Sequence, residues 1–238
     1  MQNKLDITLK HYKYYSKKYI LYDSIGIARV YNICNNKLLF EGKYLNGKGN
    51  GKGKEYAGKI IFEGEYLNGK RWNGKLYGSA KNIVYELKNG KGFIKEFYES
   101  GNLKFEGEYI NGERNGKGRE YDFYDGKIIF KGEYLNGKRW NGKGYDAENN
   151  IVYELINGKG FIKEYHYNNE LKFEGEYLNG EKNGKGKEYK WNGVFEGEYL
   201  NGEKNGKGKE YNYKGELVFE WEYLYSLKTK GRQYEKNY

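Results

Sequence analysis

The chain has 238 residues, and hydrophobic residues make up only 37% of it, with aromatics alone at 18%, so little aliphatic mass is left for a deep globular interior. The single cysteine, Cys34, excludes an intrachain disulfide and fits a reducing compartment. The formal net charge is +10, and where that excess sits matters more than its size.

Residues 1–37 carry Lys4, Lys10, Lys13, Lys17, Lys18, Arg29 and Lys37 against only Asp6 and Asp23, with Tyr12, Tyr14, Tyr15, Tyr19 and Tyr22 interleaved. Lys10, Lys13, Lys17 and Lys18 are candidate contacts to an anionic surface, because lysine neutralises phosphate and tyrosine suits a lipid interface. The structural reading is an N-terminal cap. Gly26-Ile27-Ala28-Arg29-Val30-Tyr31 aligns with the later strand Gly51 to Tyr56, and so reads as a degenerate half-unit. No apolar run approaches the length of a signal peptide or a membrane helix, so a soluble, cytoplasmic protein is expected.

From residue 38 to 218 one pattern recurs. Units begin at Phe40, Phe62, Ile83, Phe105, Phe130, Ile151, Phe173 and Phe195, with a worn one at Phe219, in steps of 21 to 25 residues. Lys59 to Lys75 matches Lys127 to Lys143 at all positions but one, and Asn82 to Glu96 matches Asn150 to Glu164 likewise; both offsets are 68 residues. In the unit Phe173 to Tyr189, Phe173, Gly175 and Tyr177 alternate with Glu174 and Glu176, which is the period of a strand. Asn179-Gly180 and Asn183-Gly184 are two adjacent candidates for a tight turn, and Gly184 to Tyr189 is a returning strand. Each unit therefore predicts an antiparallel hairpin.

Glycine weakens a strand, so its repetition needs a cause. We expect aromatic cover: Gly42, Gly64, Gly107, Gly132, Gly175 and Gly197 leave backbone bare beside Tyr44, Tyr66, Tyr109, Tyr134, Tyr177 and Tyr199, and a neighbouring ring lies over the gap. The units at Ile83 and Ile151 depart from this, with Tyr85 and Tyr153 in the glycine slot, and are expected to kink or narrow the sheet.

The order glycine, charged residue, aromatic, two residues, glycine, with a later Gly-x-Gly, resembles the MORN repeat over about residues 38 to 224, although tyrosine stands where that family often has tryptophan. The resemblance implies an all-β fold: an elongated, twisted antiparallel meander of about nine stacked hairpins of roughly 22 residues, capped at both ends. Residues 219–238 are expected to form the closing cap. There Trp221 replaces the strand glycine and Tyr225-Ser226 replaces Asn-Gly, while Gly231 to Tyr234 keep a shadow of the returning strand. Trp221, Tyr223 and Tyr225 are candidates for capping or for docking a partner.

Charges of both signs mix within each unit, as in Glu181-Lys182 and Lys187-Glu188, which predicts a solvated, paired surface and argues against nucleic acid as a ligand of the array. The glutamates at Glu63, Glu65, Glu106, Glu108, Glu174 and Glu176 repeat too regularly for a glycosidase pair, and Lys48 to Lys54 lacks the helix of a phosphate loop. His11 and His166 have no metal-ligand spacing. The expectation is a non-catalytic scaffold without cofactor. It would bind protein partners through exposed tyrosines or self-associate, as MORN-type proteins do in cytoskeletal, ciliary or virion assemblies. The alternatives are peripheral binding to anionic membranes through residues 1–37 and an antitoxin-like binding protein.

Overall fold

The computed structural model describes residues 18–78 and 83–234. Among these there are twenty strands and no helix. An opening hairpin, β1 (Lys18–Tyr22) and β2 (Ile27–Asn32), is followed by β3 (Leu38–Leu45), β4 (Lys48–Tyr56), β5 (Ile60–Leu67), β6 (Lys70–Tyr77), β7 (Ile83–Leu87) and β8 (Gly92–Phe97). Then come β9 (Leu103–Ile110), β10 (Glu113–Tyr121), β11 (Ile128–Leu135), β12 (Lys138–Tyr145), β13 (Ile151–Leu155) and β14 (Gly160–Tyr165). The last six are β15 (Leu171–Leu178), β16 (Glu181–Lys190), β17 (Gly193–Leu200), β18 (Glu203–Asn212), β19 (Leu217–Leu224) and β20 (Leu227–Gln233). Strand order follows the chain in three sheets, β1 to β7, β8 to β13 and β14 to β20. The chain divides into two compact units: the first runs to Leu103 and takes in Glu108–Glu113, and the second takes Lys104–Gly107 and continues from Arg114.

The choice between the two Asn-Gly pairs is now decided. The first makes the turn: Asn179 and Gly180 have φ of 53° and 75°, the left-handed pair that a two-residue hairpin matched to strand twist requires. The second lies in the returning strand as a bulge. Tyr177 faces Lys182 while Gly175 faces Gly186, so three residues of β16 oppose Glu176 alone. In β6 and β12 the bulge holds a single extra residue, Trp72 or Trp140.

The opening hairpin keeps the register of the repeats. Ala28 faces Gly42 and Val30 faces Phe40, as Gly53 faces Gly64 and Glu55 faces Phe62. At the units beginning Ile83 and Ile151 the ladder is interrupted, and β7 meets β8, and β13 meets β14, through single bridges, Lys88 with Lys91 and Ile156 with Lys159. There Tyr153, opposite Gly144, and Ile162, opposite Gly175, stand in slots where glycine faces glycine elsewhere.

At the C-terminal end the expectation of a shadow strand is corrected. β20 is a full strand paired with β19 from Leu224 opposite Leu227 to Phe219 opposite Gln233. Trp221 therefore faces Gly208 and Gly231 inside the sheet and does not cover a terminal edge; the edge is β20, exposed along nearly all its length.

Candidate functional site

Each sheet has an aromatic face and a charged face, set by the alternation of side chains along a strand. The aromatic face is the core. Phe62, Phe105, Phe130 and Phe173 are fully buried, and Phe40, Phe62, Phe105, Phe173 and Phe195 each lie against a pair of facing glycines. A methyl group on Gly186 would stand 2.9 Å from the Phe173 ring, and one on Gly175 would stand 2.7 Å from the Gly186 Cα. Aromatic cover is thus present, but the covering ring is mainly the phenylalanine two residues before the glycine, helped by the tyrosine of the next hairpin. Phe173 meets Tyr199 edge-on at 5.6 Å, Tyr199 meets Phe195 at 5.7 Å, and Phe195 meets Tyr223 at 5.3 Å. Tyr66, Tyr109, Tyr134, Tyr199 and Tyr223 are buried, and Tyr44 and Tyr177 are half-buried. The repeat tyrosines therefore cannot be exposed anchors for a partner, and Tyr223 is part of the core rather than of a docking surface. Tyr225 is exposed at its turn.

Charged residues complete this face, which the pattern of mixed charges did not foretell. Arg71, Arg114 and Arg139 lie over Phe62, Phe105 and Phe130 at 5.2, 4.1 and 5.0 Å from the ring centres. Lys182 and Lys204 lie over Phe173 and Phe195 at 3.8 and 3.6 Å. A glutamate opposite each phenylalanine closes the set. Tyr199 donates to Glu188, with Lys204 3.4 Å from that carboxylate, and Tyr223 donates to Glu210 at 2.6 Å, with Lys228 2.9 Å away. Lys182 and Glu188, read from the sequence as solvated, thus belong to the ring stack: the turn at Asn179-Gly180 sets Lys182, two places after it, opposite Tyr177, and Glu188 faces Phe173. The recognisable signal is a cation at that place, as in Gly69-Lys70-Arg71 and Gly202-Glu203-Lys204.

The densest knot joins Arg139 to Glu120, to Glu164 at 3.3 Å and to the Tyr153 hydroxyl at 2.9 Å, with Arg114 2.8 Å from Glu120. Burial alone would push the Glu120 carboxyl up, but Arg139 and Arg114 outweigh it and hold the group below the usual carboxylate range. Burial pushes the Tyr153 phenol up to about 12, although Arg139 beside it acts the other way. Burial also lowers the Lys182 and Lys204 ammonium groups from their ordinary value. These shifts follow from packing and hydrogen bonding within the core.

The charged face is open. In the first sheet Arg29, Glu41, Lys54, Glu63, Lys75 and Glu86 face one another in succession, and in the third Lys163, Glu174, Lys187, Glu196, Lys209, Glu220 and Arg232 do the same. Opposite charges on adjacent strands stabilise each other by roughly 0.2–1 kcal/mol a pair. Two clefts lie on this face, each within one compact unit. One, of about 610 Å³, runs from Ile25 and Ile27 over Glu41, Lys52 and Lys54 to Glu63 and Glu65. The other, of about 500 Å³, runs from Phe161 over Glu174, Lys185 and Lys187 to Glu196, Glu198 and Glu220. They are built on the same repeat slots, with an apolar residue at the start, facing glycines along the floor and walls of both signs.

The remaining candidates are placed as follows. Lys10, Lys13, Lys17 and His11 lie outside the described residues, and Lys18 is exposed at the start of β1. His166 and Cys34 are exposed in turns. Among the described residues no group of three or more His, Cys, Asp or Glu could hold a metal ion, and no helix is long and apolar enough to cross a membrane.

No family model and no curated protein sequence matches this chain. Among solved structures, one described as "Crystal Structure of TarM" shares 12% identity over 56% of this chain and 24% of that chain, at a TM-score of 0.24. A likeness that weak carries no argument about fold or activity.

Proposed function

We propose that the protein is a non-catalytic, MORN-type scaffold that holds protein partners against the charged face of its hairpin sheets. The observation that carries this reading is the repetition of one cleft on the same slots in both compact units. An enzyme makes its site once from convergent groups, whereas a binding face repeated with the fold suits multivalent attachment. An apolar residue at the head of each cleft, Ile27 or Phe161, supplies an anchor, and alternating Lys and Glu supply orientation. Rows of alternating sign also disfavour a long polyanion such as nucleic acid.

Cross-linking and affinity capture from the native source test this. The expected result is a stoichiometric protein partner that is lost with Phe161→Ser and Ile27→Ser. Recovery of no partner, from a chain that light scattering finds monomeric, would refute the scaffold.

The basic excess of residues 1–37 supports a second reading, attachment to anionic membranes through Lys10, Lys13, Lys17 and Lys18. Flotation with anionic vesicles that weakens with salt and is lost on deleting residues 1–23 is its expected result; no flotation at low salt would refute it.

A further inference from the structure

The charge alternation of the open face fails in the middle sheet, as it also does at the hairpin end where Lys88 meets Lys91. In the middle sheet Arg119 of β10 faces Lys131 of β11, and Lys131 faces Lys143 of β12. The row is closed at both ends by acids: Glu106 lies 3.2 Å from Arg119, and Glu154 faces Lys143. Three cations therefore stand side by side on adjacent strands, all exposed, with Lys131 in the centre facing a cation on each side.

The chain contains its own control. Lys59 to Lys75 and Lys127 to Lys143 differ at one position, and that position is Glu63 against Lys131. In the first copy Glu63 sits between Lys54 and Lys75, lies 3.0 Å from Lys54 and accepts a hydrogen bond from the Tyr77 hydroxyl. Its replacement turns a balanced rung into three like charges directly opposite one another, an arrangement that destabilises a sheet. In a segment otherwise copied unchanged, the rule of opposite charges across strands is thus broken at this one position.

We infer that Arg119, Lys131 and Lys143 form a docking site for a short acidic segment of a protein partner, which deepens and rests on the scaffold reading above. The extent of the patch selects the occupant. Three strands at about 4.8 Å spacing give a cationic stretch of roughly 10 Å, and Glu106 and Glu154 bound it. Two or three carboxylates on an extended segment match that length, whereas a long uniform polyanion would run onto the flanking glutamates. The exposed ammonium and guanidinium groups supply charge-assisted hydrogen bonds to carboxylate oxygens.

The test is fluorescence anisotropy of a fluorescein-labelled hexaglutamate peptide with the full chain at low salt. Lys131→Glu restores the rung of the first copy, whose Glu63 shows that the fold accepts it, and is expected to weaken binding at least tenfold. Glu63→Lys is expected to create a second binding equivalent. Affinity within twofold of wild type in Lys131→Glu would overturn the site. So would displacement of the peptide by inorganic tripolyphosphate at far lower concentration than by unlabelled hexaglutamate, which would reassign the patch to phosphates. Partner capture that persists in Lys131→Glu would sink this site and leave the scaffold standing. Lys131-dependent peptide binding with no native partner would do the reverse.

Discussion

The ring-over-glycine stack makes a quantitative prediction at Gly186. This residue of β16 faces Gly175 on one side and Gly197 on the other. A methyl group there would stand 2.9 Å from two carbons of the Phe173 ring and 3.2 Å from the Tyr199 ring, inside the 3.5–4.0 Å of an optimal carbon contact. Overpacking of this kind costs about 1–3 kcal/mol, and restricting the unfolded chain returns about 0.4–1 kcal/mol. Gly186→Ala is therefore expected to destabilise by about 1–2 kcal/mol. Because the clash is with Phe173, the cost should fall by more than about 0.5 kcal/mol in a Phe173→Leu background. Guanidinium unfolding followed by far-UV circular dichroism reads the cycle. Hydrogen exchange across β15 to β17 locates the effect, since a repeat array opens locally as well as globally. Additivity within about 0.3 kcal/mol would show that the glycine is not there to seat the ring.

Further perturbations separate the other parts of the core. Arg139→Met leaves Glu120, whose side chain is 16% exposed, with Arg114 alone, and is expected to cost about 3 kcal/mol in thermal or chemical unfolding. The Glu120 carboxyl titrates lower in the folded than in the unfolded chain. The stability it contributes is present above its ordinary value and is lost as pH falls through the folded one, so the deficit of Arg139→Met in melting temperature should be largest near neutral pH and shrink as pH falls through that range. Tyr223→Phe gives up a 2.6 Å hydrogen bond to Glu210 and should cost about 1–1.5 kcal/mol; Tyr134→Phe removes a buried hydroxyl with no well-formed hydrogen bond and should stay within about 0.5 kcal/mol. Tyr225 holds φ of 48° where every other repeat turn has asparagine, so Tyr225→Asn should raise the melting temperature, by about 0.5–1 kcal/mol in stability.

The hairpins were legible because their signals are local: alternation over five residues and Asn-Gly at a turn depend on no distant neighbour. The opening strand was readable for the same reason, through the match of Gly26 to Tyr31 with Gly51 to Tyr56. What stayed hidden depended on turns and bulges. With the turn at Asn179-Gly180, Lys182 comes opposite Tyr177 on the aromatic face, and in β6 the single-residue bulge at Trp72 turns Arg71 to the same face; the pattern of charges shows neither the turn nor the bulge. Tyrosine misled as well: it was expected to offer exposed anchors, whereas Glu188 and Glu210 satisfy Tyr199 and Tyr223 inside the stack. The broken rung at Lys131 was visible as a single difference between two copies, but its meaning needed the register that sets Arg119 and Lys143 on either side.

The near-identity of the two copied blocks bears on how the chain reaches this state. Every pairing joins strands close in sequence, so hairpins close on a timescale of about 1–10 μs and no long loop must be ordered first. Speed comes with ambiguity, because β5 and β11 carry almost the same residues and each could anneal to the other's partner. The bulges answer this. β4, β16 and β18 carry two extra residues against their first strands, and β6 and β12 carry one, so a strand paired with a partner of the other class would be offset and its phenylalanine would miss the glycines it must cover. Exchange within a class stays open, among β4, β16 and β18 as well as between β6 and β12, and the near-identity of β5 and β11 makes β5 with β12 and β11 with β6 the first traps to look for when the chain is refolded from denaturant.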